Sequence, residues 1–445
     1  MTDKQKVKTM ADSDYVFGNF GGKVGQMSIP DFRSHLNDND NQVLNDVAFY
    51  IDVNSASSLG STRVDTGGNL HMRAMLEASE VDALMDKNGN YAELNPNDCR
   101  YTKEGEAIVD MNTGEILSKW ANADIVRIIP QYYGRVQTVQ AGSTTILRSW
   151  FSLIPLPNGY IIPRQVVGKF KASRVNGAMR SLPNKTPDNR VTITGFWNYA
   201  QARSKNHGLA NLDFRNHLLF HMMAKYGYRD SQNCKGNDGT PVWGVGLDGT
   251  ESTGSDKFAD QRYIKTGHTL SLGKHDGKVA VADNNGTTVH GVNVNGFENP
   301  WGQYWEMVQG LCSVGTDVYH WRSNVMPTGT PTAASFDHID HVVLQRATSD
   351  GVTLMNIISS EQGQGCYMIP KGSVSGISYG DNYWYAAAGQ LCLFGGNSAH
   401  GAACGLAFAN SVNAWSASSA SFSARLAYYG DINKVSATHL AELLA

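Results

Sequence analysis

The chain has 445 residues, is 41% hydrophobic and 10% aromatic, and carries a formal net charge of −3. That length exceeds what one hydrophobic core usually serves, so roughly two or three domains are expected. The near-neutral balance argues against a nucleic-acid partner, which calls for a basic face, and no run reaches the ~20 apolar residues that would insert into a bilayer.

Forty-six glycines against 13 prolines, with many Asn/Asp–Gly pairs, indicate β structure joined by tight turns. The opening MTDKQKVKTMADSDYVF has lysines but no apolar core after them, so no secretory signal is read there. Cys99, Cys234, Cys312, Cys366, Cys392 and Cys404 follow no CxxC or dense pattern. Reduced thiols packed as small hydrophobes are therefore expected, in a protein made in a reducing cytoplasm.

Residues 1–65 are polar and rich in Asp and Asn, with one strand-like run, VAFYIDV, at 47–53. HMRAMLEASEVDALM, residues 71–85, places Met72, Met75, Leu76 and Leu84 at helical spacing. GEAIVDMNTGEIL then reads as a hairpin turning at Asn112-Thr113-Gly114. DIVRIIPQYYGRVQTV, STTILRSWFSLIPL and GYIIPRQVVGKFKAS are strand-rich. These pieces predict a small β domain over 66–190, closed by a polar, proline-bearing linker, RSLPNKTPDNR at 180–190.

Beyond it the character changes. NLDFRNHLLFHMMAKYG, residues 211–227, is a helix by its Asn/Asp start, its Gly stop and an apolar face of Leu212, Leu218, Leu219, Met222 and Met223. NPWGQYWEMVQGL, residues 299–311, reads as a shorter aromatic helix, and HVVLQRA, GCYMIP and GQLCLFGG as short strands between loops. The region 191–445 is thus expected to be one α+β domain.

Candidate chemistry is sparse. Asp337, His338, Asp340 and His341 in DHIDH form the densest metal-capable cluster, but a strand would split them between two faces. ENPWG, Glu298–Gly302, has the residue types of a sugar-and-calcium motif in the wrong order, without the fixed set of hard oxygen ligands that Ca²⁺ requires. Cys392 and Cys404 have no adjacent cation to lower a thiol pKa, and His400 near Cys404 shows only sequence proximity. There is no GxSxG elbow, P-loop or GxGxxG. Neither a catalytic group, nor a metal, nor a cofactor is expected.

One stretch stands apart. From Asn382 to Ala424 there is no Asp, Glu, Lys or Arg, where an even spread of charge would put about seven. Alanine, serine, glycine and asparagine fill the segment between widely spaced large residues.

Four motifs in order then carry a resemblance: LLFHMMAKYGYRDSQ (218–232), GFENPWGQYWEMVQGL (296–311), FGGN (394–397) and SARLAYYG (423–430). Together they resemble the C-type-lectin-like variable proteins of diversity-generating retroelements, a group that includes phage tail receptor-binding proteins. The match covers about residues 195–430. Formylglycine-generating enzymes share that fold, with counterparts to the same helix, Gly-Gly turn and terminal Arg-Leu-Ala strand.

The resemblance implies an α+β C-type-lectin-like domain at 191–445 behind mainly-β N-terminal parts, with residues 1–65 for attachment or oligomerisation. It also explains the uncharged stretch. In that family adenines of Asn codons are rewritten, which excludes Lys, Glu, Gln, Met and Trp. Between Ala386 and Ala424 only Gln390 and Trp415 lie outside the set that remains.

Framework duties then fall to Leu393, Phe394, Gly395, Gly396, Leu406, Trp415, Arg425 and Leu426. The expected solvent-facing, ligand-binding set is Ala387, Asn397, Ser398, Ala399, His400, Ala403, Ala409, Ser411, Val412, Ala414, Ala417, Ser419, Ala420 and Phe422. Tyr383 and Tyr385 add fixed aromatic contact, with Trp415 as anchor. The function implied is a phage tail-tip adhesin, acting on the virion outside the cell, or a related adhesin on a bacterial surface. Its partners would be a host surface receptor, protein or glycan, and other tail proteins, and it would be a homotrimer. A formylglycine-type oxidase and a purely structural tail or baseplate component are the alternatives.

Overall fold

The computed structural model describes residues 15–20, 23–28, 41–54, 64–141, 144–243, 263–345, 355–359, 366–370, 383–397, 400 and 404–445. The architecture is α+β and mainly β, with most strands gathered into three sheets.

The first sheet is antiparallel and five-stranded, in the order Tyr160–Ile162, Tyr132–Ala141, Thr144–Ser152, Phe49–Asn54, Asp65–Gly68. The helix Leu70–Ser79, capped by Asn69 accepting from the Met72 N–H, covers it with Met72 and Leu76. Phe151 of this sheet meets Phe220 at a ring distance of 4.6 Å, which brings in the helix Leu212–Tyr226. That helix is buried from Leu212 to Ala224. Its Asn211 cap accepts from the Phe214 N–H, and Gly227 ends it at φ 69, the left-handed stop that glycine permits.

The second sheet has seven strands, in the order His207–Leu209, Leu426–Tyr428, Gln165–Gly168, Asp124–Ile129, Val81–Met85, Asn90–Glu93, Asn433–Lys434. Val167 lies opposite Ala427. One sheet therefore crosses the boundary expected at 190, and the largest hydrophobic cluster likewise runs from Leu44 to Ala427. The expected linker 180–190 is packed: Arg180, Ser181 and Leu182 are buried. The Asn184 N–H donates to Thr266 O and the Arg190 N–H to Ser419 O.

The third sheet is also seven-stranded. His341–Gln345, Asp317–Trp321, Trp305–Val314, Leu391–Phe394, Ala409–Asn413 and Tyr383–Tyr385 follow in order, and Phe422–Ala424 pairs in parallel with Trp305–Val314. Two readings of the sequence are corrected here. Residues 299–311 are not a helix: the strand Trp305–Val314 occupies their second half, buried at every position but the last. A strand buried on both faces shows no alternation, so its pattern cannot be told from that of a buried helix. Gly310 breaks the regular pairing at φ 73, where a Cβ would lie 2.2 Å from Trp321 O. The helix expected over 71–85 ends at Ser79, because Glu80 is extended and Val81–Met85 joins the second sheet.

Two buried ionic clusters fasten these layers. Arg127 pairs with Glu80 at 2.8 Å and with Asp82 at 2.9 Å, Lys169 pairs with Asp82 at 3.0 Å, and His217 of the long helix meets Glu80 at 3.1 Å. Burial pushes the Glu80 carboxyl up, but His217 and Arg127 beside it hold it down at about 2. In the second cluster Arg425 donates to Glu306 Oε2 at 3.0 Å, to Lys169 O at 2.7 Å and to Glu298 O. Arg215 donates to Pro300 O and Leu406 O, each at 2.7 Å. Lys171 lies 3.9 Å from Glu306, and burial pushes its ammonium down to about 7.

Removing one member of a buried pair strands the other without compensation. Arg425→Met is expected to cost on the order of 3–5 kcal/mol in urea unfolding. The double variant with Glu306→Met should lose less than the two single losses combined. Additive losses would show that the pair is not coupled.

Candidate functional site

The uncharged segment lies on one flank of the third sheet. Tyr383–Tyr385 runs parallel to Ala409–Asn413, which pairs on its other side with Leu391–Phe394. The turn after Phe394 requires its glycines. Gly395 and Gly396 have φ 90 and 75; a Cβ on the first would lie 2.6 Å from Pro300 O, and on the second 2.5 Å from Cys404 Sγ. Leu393, Phe394, Leu406, Trp415, Arg425 and Leu426 are all buried, as framework residues should be.

The side chains expected to face solvent divide into three groups. Ala387, Val412 and Ala414 are exposed. Tyr385, His400, Ala417, Ser419 and Ala420 are half-buried. Asn397, Ala409, Ser411 and Phe422 are buried, at 2%, 5%, 2% and 7% exposure, and this corrects the expectation for them. Ala409, Asn410 and Ser411 are buried in succession, so this part of the strand is covered on both faces, and exposure begins only at Val412. Close approach to this strand depends on Gly389, where a Cβ would lie 1.7 Å from the Ser411 backbone O. Tyr383 is buried too, its hydroxyl 2.6 Å from Ser411 Oγ. Ser398, Ala399 and Ala403 lie outside the described residues.

Sequence reasoning missed Trp384. It is half-buried and belongs to an aromatic nest: its ring centroid lies 5.9 Å from Trp305, 4.7 Å from His400 and 5.1 Å from Phe408. Its signal was the Tyr-Trp-Tyr run, in which the middle residue of a strand must face the opposite way from its neighbours. His400 Nδ1 accepts from the Asn397 N–H at 3.1 Å, and burial pushes its pKa down to about 4. The surface at neutral pH thus offers uncharged aromatic rings, small side chains and the amides of Gln390 and Asn413, both half-buried.

The other candidates are spent on structure. Glu298 accepts from the N–H groups of Gly267 and Thr269, each at 2.9 Å. Asn299, at φ 45, accepts from the Val292 N–H. Asp337 ends the short 3₁₀ turn Ala333–Phe336, so of DHIDH only His341 enters a strand. Among the described residues no group of three His, Cys, Asp or Glu is placed to hold a metal. Cys404 Sγ donates to Asn397 O at 3.2 Å, and Cys392 Sγ lies 3.5 Å from Ser313 Oγ. Both residues are buried, and neither forms a disulfide among the described residues.

No known family model and no curated protein matches this chain.

Two outcomes follow from these placements. Val412→Asp and Ala414→Asp should each change stability by no more than about 0.5 kcal/mol, whereas Ala409→Tyr should overpack its site at a cost of about 1–3 kcal/mol. Denaturant midpoints that fail to separate the two groups would contradict the burial assigned above.

The second outcome concerns pH. Burial pushes His207, His320 and His400 each from 6.5 down to about 4. The unfolded chain takes up those protons first, so the stability these rings contribute is complete above pH ~6.5 and is lost as pH falls toward 4. Each ring adds up to about 1.4 kcal/mol per pH unit to the slope. His400→Phe should flatten the stability profile measured between these limits.

Proposed function

We propose that this chain is an adhesin: a receptor-binding protein of a phage tail tip whose C-terminal, C-type-lectin-like part, packed into one sheet with strands that precede residue 190, presents a retroelement-diversified surface to its host. The observation that carries this reading is the charge-free segment Asn382–Ala424. Leu391, Leu393, Phe394, Phe408 and Trp415 are buried, while Ala387, Val412 and Ala414 stand exposed. Loops and rims held on a rigid scaffold tolerate change and carry binding. The protein acts by binding rather than by catalysis, needs no metal or cofactor for it, and works on the virion outside the cell.

The decisive test is genomic. Beside the gene there should be a near-copy of the codons for residues 386–424, differing at adenines, together with a reverse transcriptase. An intact neighbourhood lacking both would remove the diversification from the reading.

Small side chains contribute little binding energy each, and hot spots are usually Trp, Tyr or Arg. One patch of this composition should bind with a Kd of about 1 mM to 1 µM. Useful attachment then needs several patches presented together, which raises avidity by about 10²–10⁴ without new contacts. The protein is accordingly a homotrimer, with residues 1–190 contributing to the assembly. Light scattering at micromolar concentration should give about three chain masses. A stable monomer that binds its receptor tightly one-to-one would overturn both the trimer and the avidity argument.

A further inference from the structure

Away from the uncharged segment, a cleft of about 480 Å³ opens between the turn at Thr113–Gly114, Asn184 and the loop Tyr263–His268. Its remaining wall is the turn of the antiparallel hairpin Gly277–Ala282 and Thr288–Val294. The volume is in the range of small-molecule sites, about 300–1,000 Å³. None of its lining residues belongs to the segment proposed to vary, so this is a constant feature of the protein.

The walls are fixed by hydrogen bonds that no ligand has to create. Tyr263 and Asn284 clasp each other: the Tyr263 N–H donates to Asn284 Oδ1 at 2.7 Å, and the Asn284 N–H to Tyr263 O at 2.9 Å. Thr266 Oγ1 donates to Leu182 O at 2.7 Å, and the buried Glu298 gathers the N–H groups of Gly267 and Thr269. Asn184 holds a left-handed backbone at φ 54, and its Nδ2 donates to Glu115 Oε1 at 2.9 Å, which sets the plane of the amide. A site built in advance spends little of its binding energy on ordering.

The lining chemistry narrows the ligand. Lys265 and Asp283 are opposite in charge, His268 also lines the cleft with its Nδ1 2.9 Å from Lys265 O, and Asp283 Oδ1 already accepts from the N–H groups of Asn285 and Thr287. No concentration of positive charge is present for a phosphate. Asn184, Asn284, Lys265 and Tyr263 bring polar groups to the cleft that an acyl chain would leave unanswered. Donors and acceptors in a fixed frame beside one half-buried aromatic ring match a ligand with several hydroxyls and a flat C–H face. We propose that this cleft is a binding site for a neutral oligosaccharide of roughly two or three pyranose rings. It would be a constant saccharide contact, independent of the variable surface and of the adhesin reading.

The test is saturation-transfer NMR on the full chain, with maltotriose and triacetylchitotriose as probes. One of them should receive saturation. Transfer should fall at least about tenfold, an affinity loss of about 1.4 kcal/mol, in Tyr263→Ala and in Lys265→Ala, and stay unchanged in Val412→Asp. Lys265 is exposed, so its variant keeps the test valid should Tyr263→Ala prove unstable. Transfer should also persist at about 1 M salt, where charges are screened beyond about 3 Å. No transfer to either probe, transfer that survives Lys265→Ala, or transfer abolished by salt would each overturn the assignment.

Discussion

A buried guanidinium holds this protein together. Arg425 is fully buried, and removing its charge from water costs several kcal/mol unless its donors are all answered. They are answered by three separate stretches of chain: the Glu306 carboxylate, the carbonyl of Glu298, and that of Lys169. The second sheet, the third sheet and the short strand Phe297–Glu298 therefore cannot shift independently. Arg215 and Lys171 add two more buried cations around the single carboxylate of Glu306, and burial beside these like charges drives Lys171 down to about 7. The centre of the fold carries an excess of positive charge that is tolerated because backbone carbonyls face it.

That excess bears on the uncharged segment. Arg215 donates to Leu406 O, so the segment packs directly onto the cationic centre. A lysine or arginine at a buried position such as Asn397, Ala409 or Ser411 would meet desolvation and repulsion together. At those positions the lack of charge has a sufficient physical cause in packing. Ala387, Val412 and Ala414 are exposed, and packing imposes no such ban on them. Their composition is the part that burial does not explain and that the proposed diversification would.

What could be read from the sequence was whatever is encoded locally. The helix Leu212–Tyr226 was legible because Asn211 and Gly227 mark its ends, and the Gly395–Gly396 turn because only glycine fits its backbone. The strand Trp305–Val314 was not, since burial on both faces erases the period that separates strand from helix. The boundary at 190 failed for a different reason. It was inferred from a polar, proline-bearing stretch, while the pairing that overrides it, Val167 with Ala427, joins positions too far apart for any local pattern to reveal. At the site, small residues were taken as surface residues. Asn397, Ala409 and Ser411 are buried instead, and a missing side chain is equally what lets two backbones approach closely, as Gly389 and Ser411 do.

The corrected surface has a different energetic character from a broad carpet of small side chains. Tyr383–Tyr385 ends the third sheet among the described residues, and its half-buried Trp384 rests on Trp305, Phe408 and His400. Trp is the residue type most able to supply a hot spot, and it is one that adenine rewriting cannot produce. On the proposed reading Trp384 would be a constant anchor. His400, within the segment expected to vary, lies 4.7 Å from it by ring centroid and is neutral at ordinary pH. Replacing His400 with a smaller residue would uncover one face of the Trp384 ring, and replacing it with tyrosine or phenylalanine would extend the platform. Variation at one position would in this way reshape the contact made by a residue that never changes. A few variable positions around a fixed aromatic ring can then alter specificity more than their small side chains would by direct contact alone.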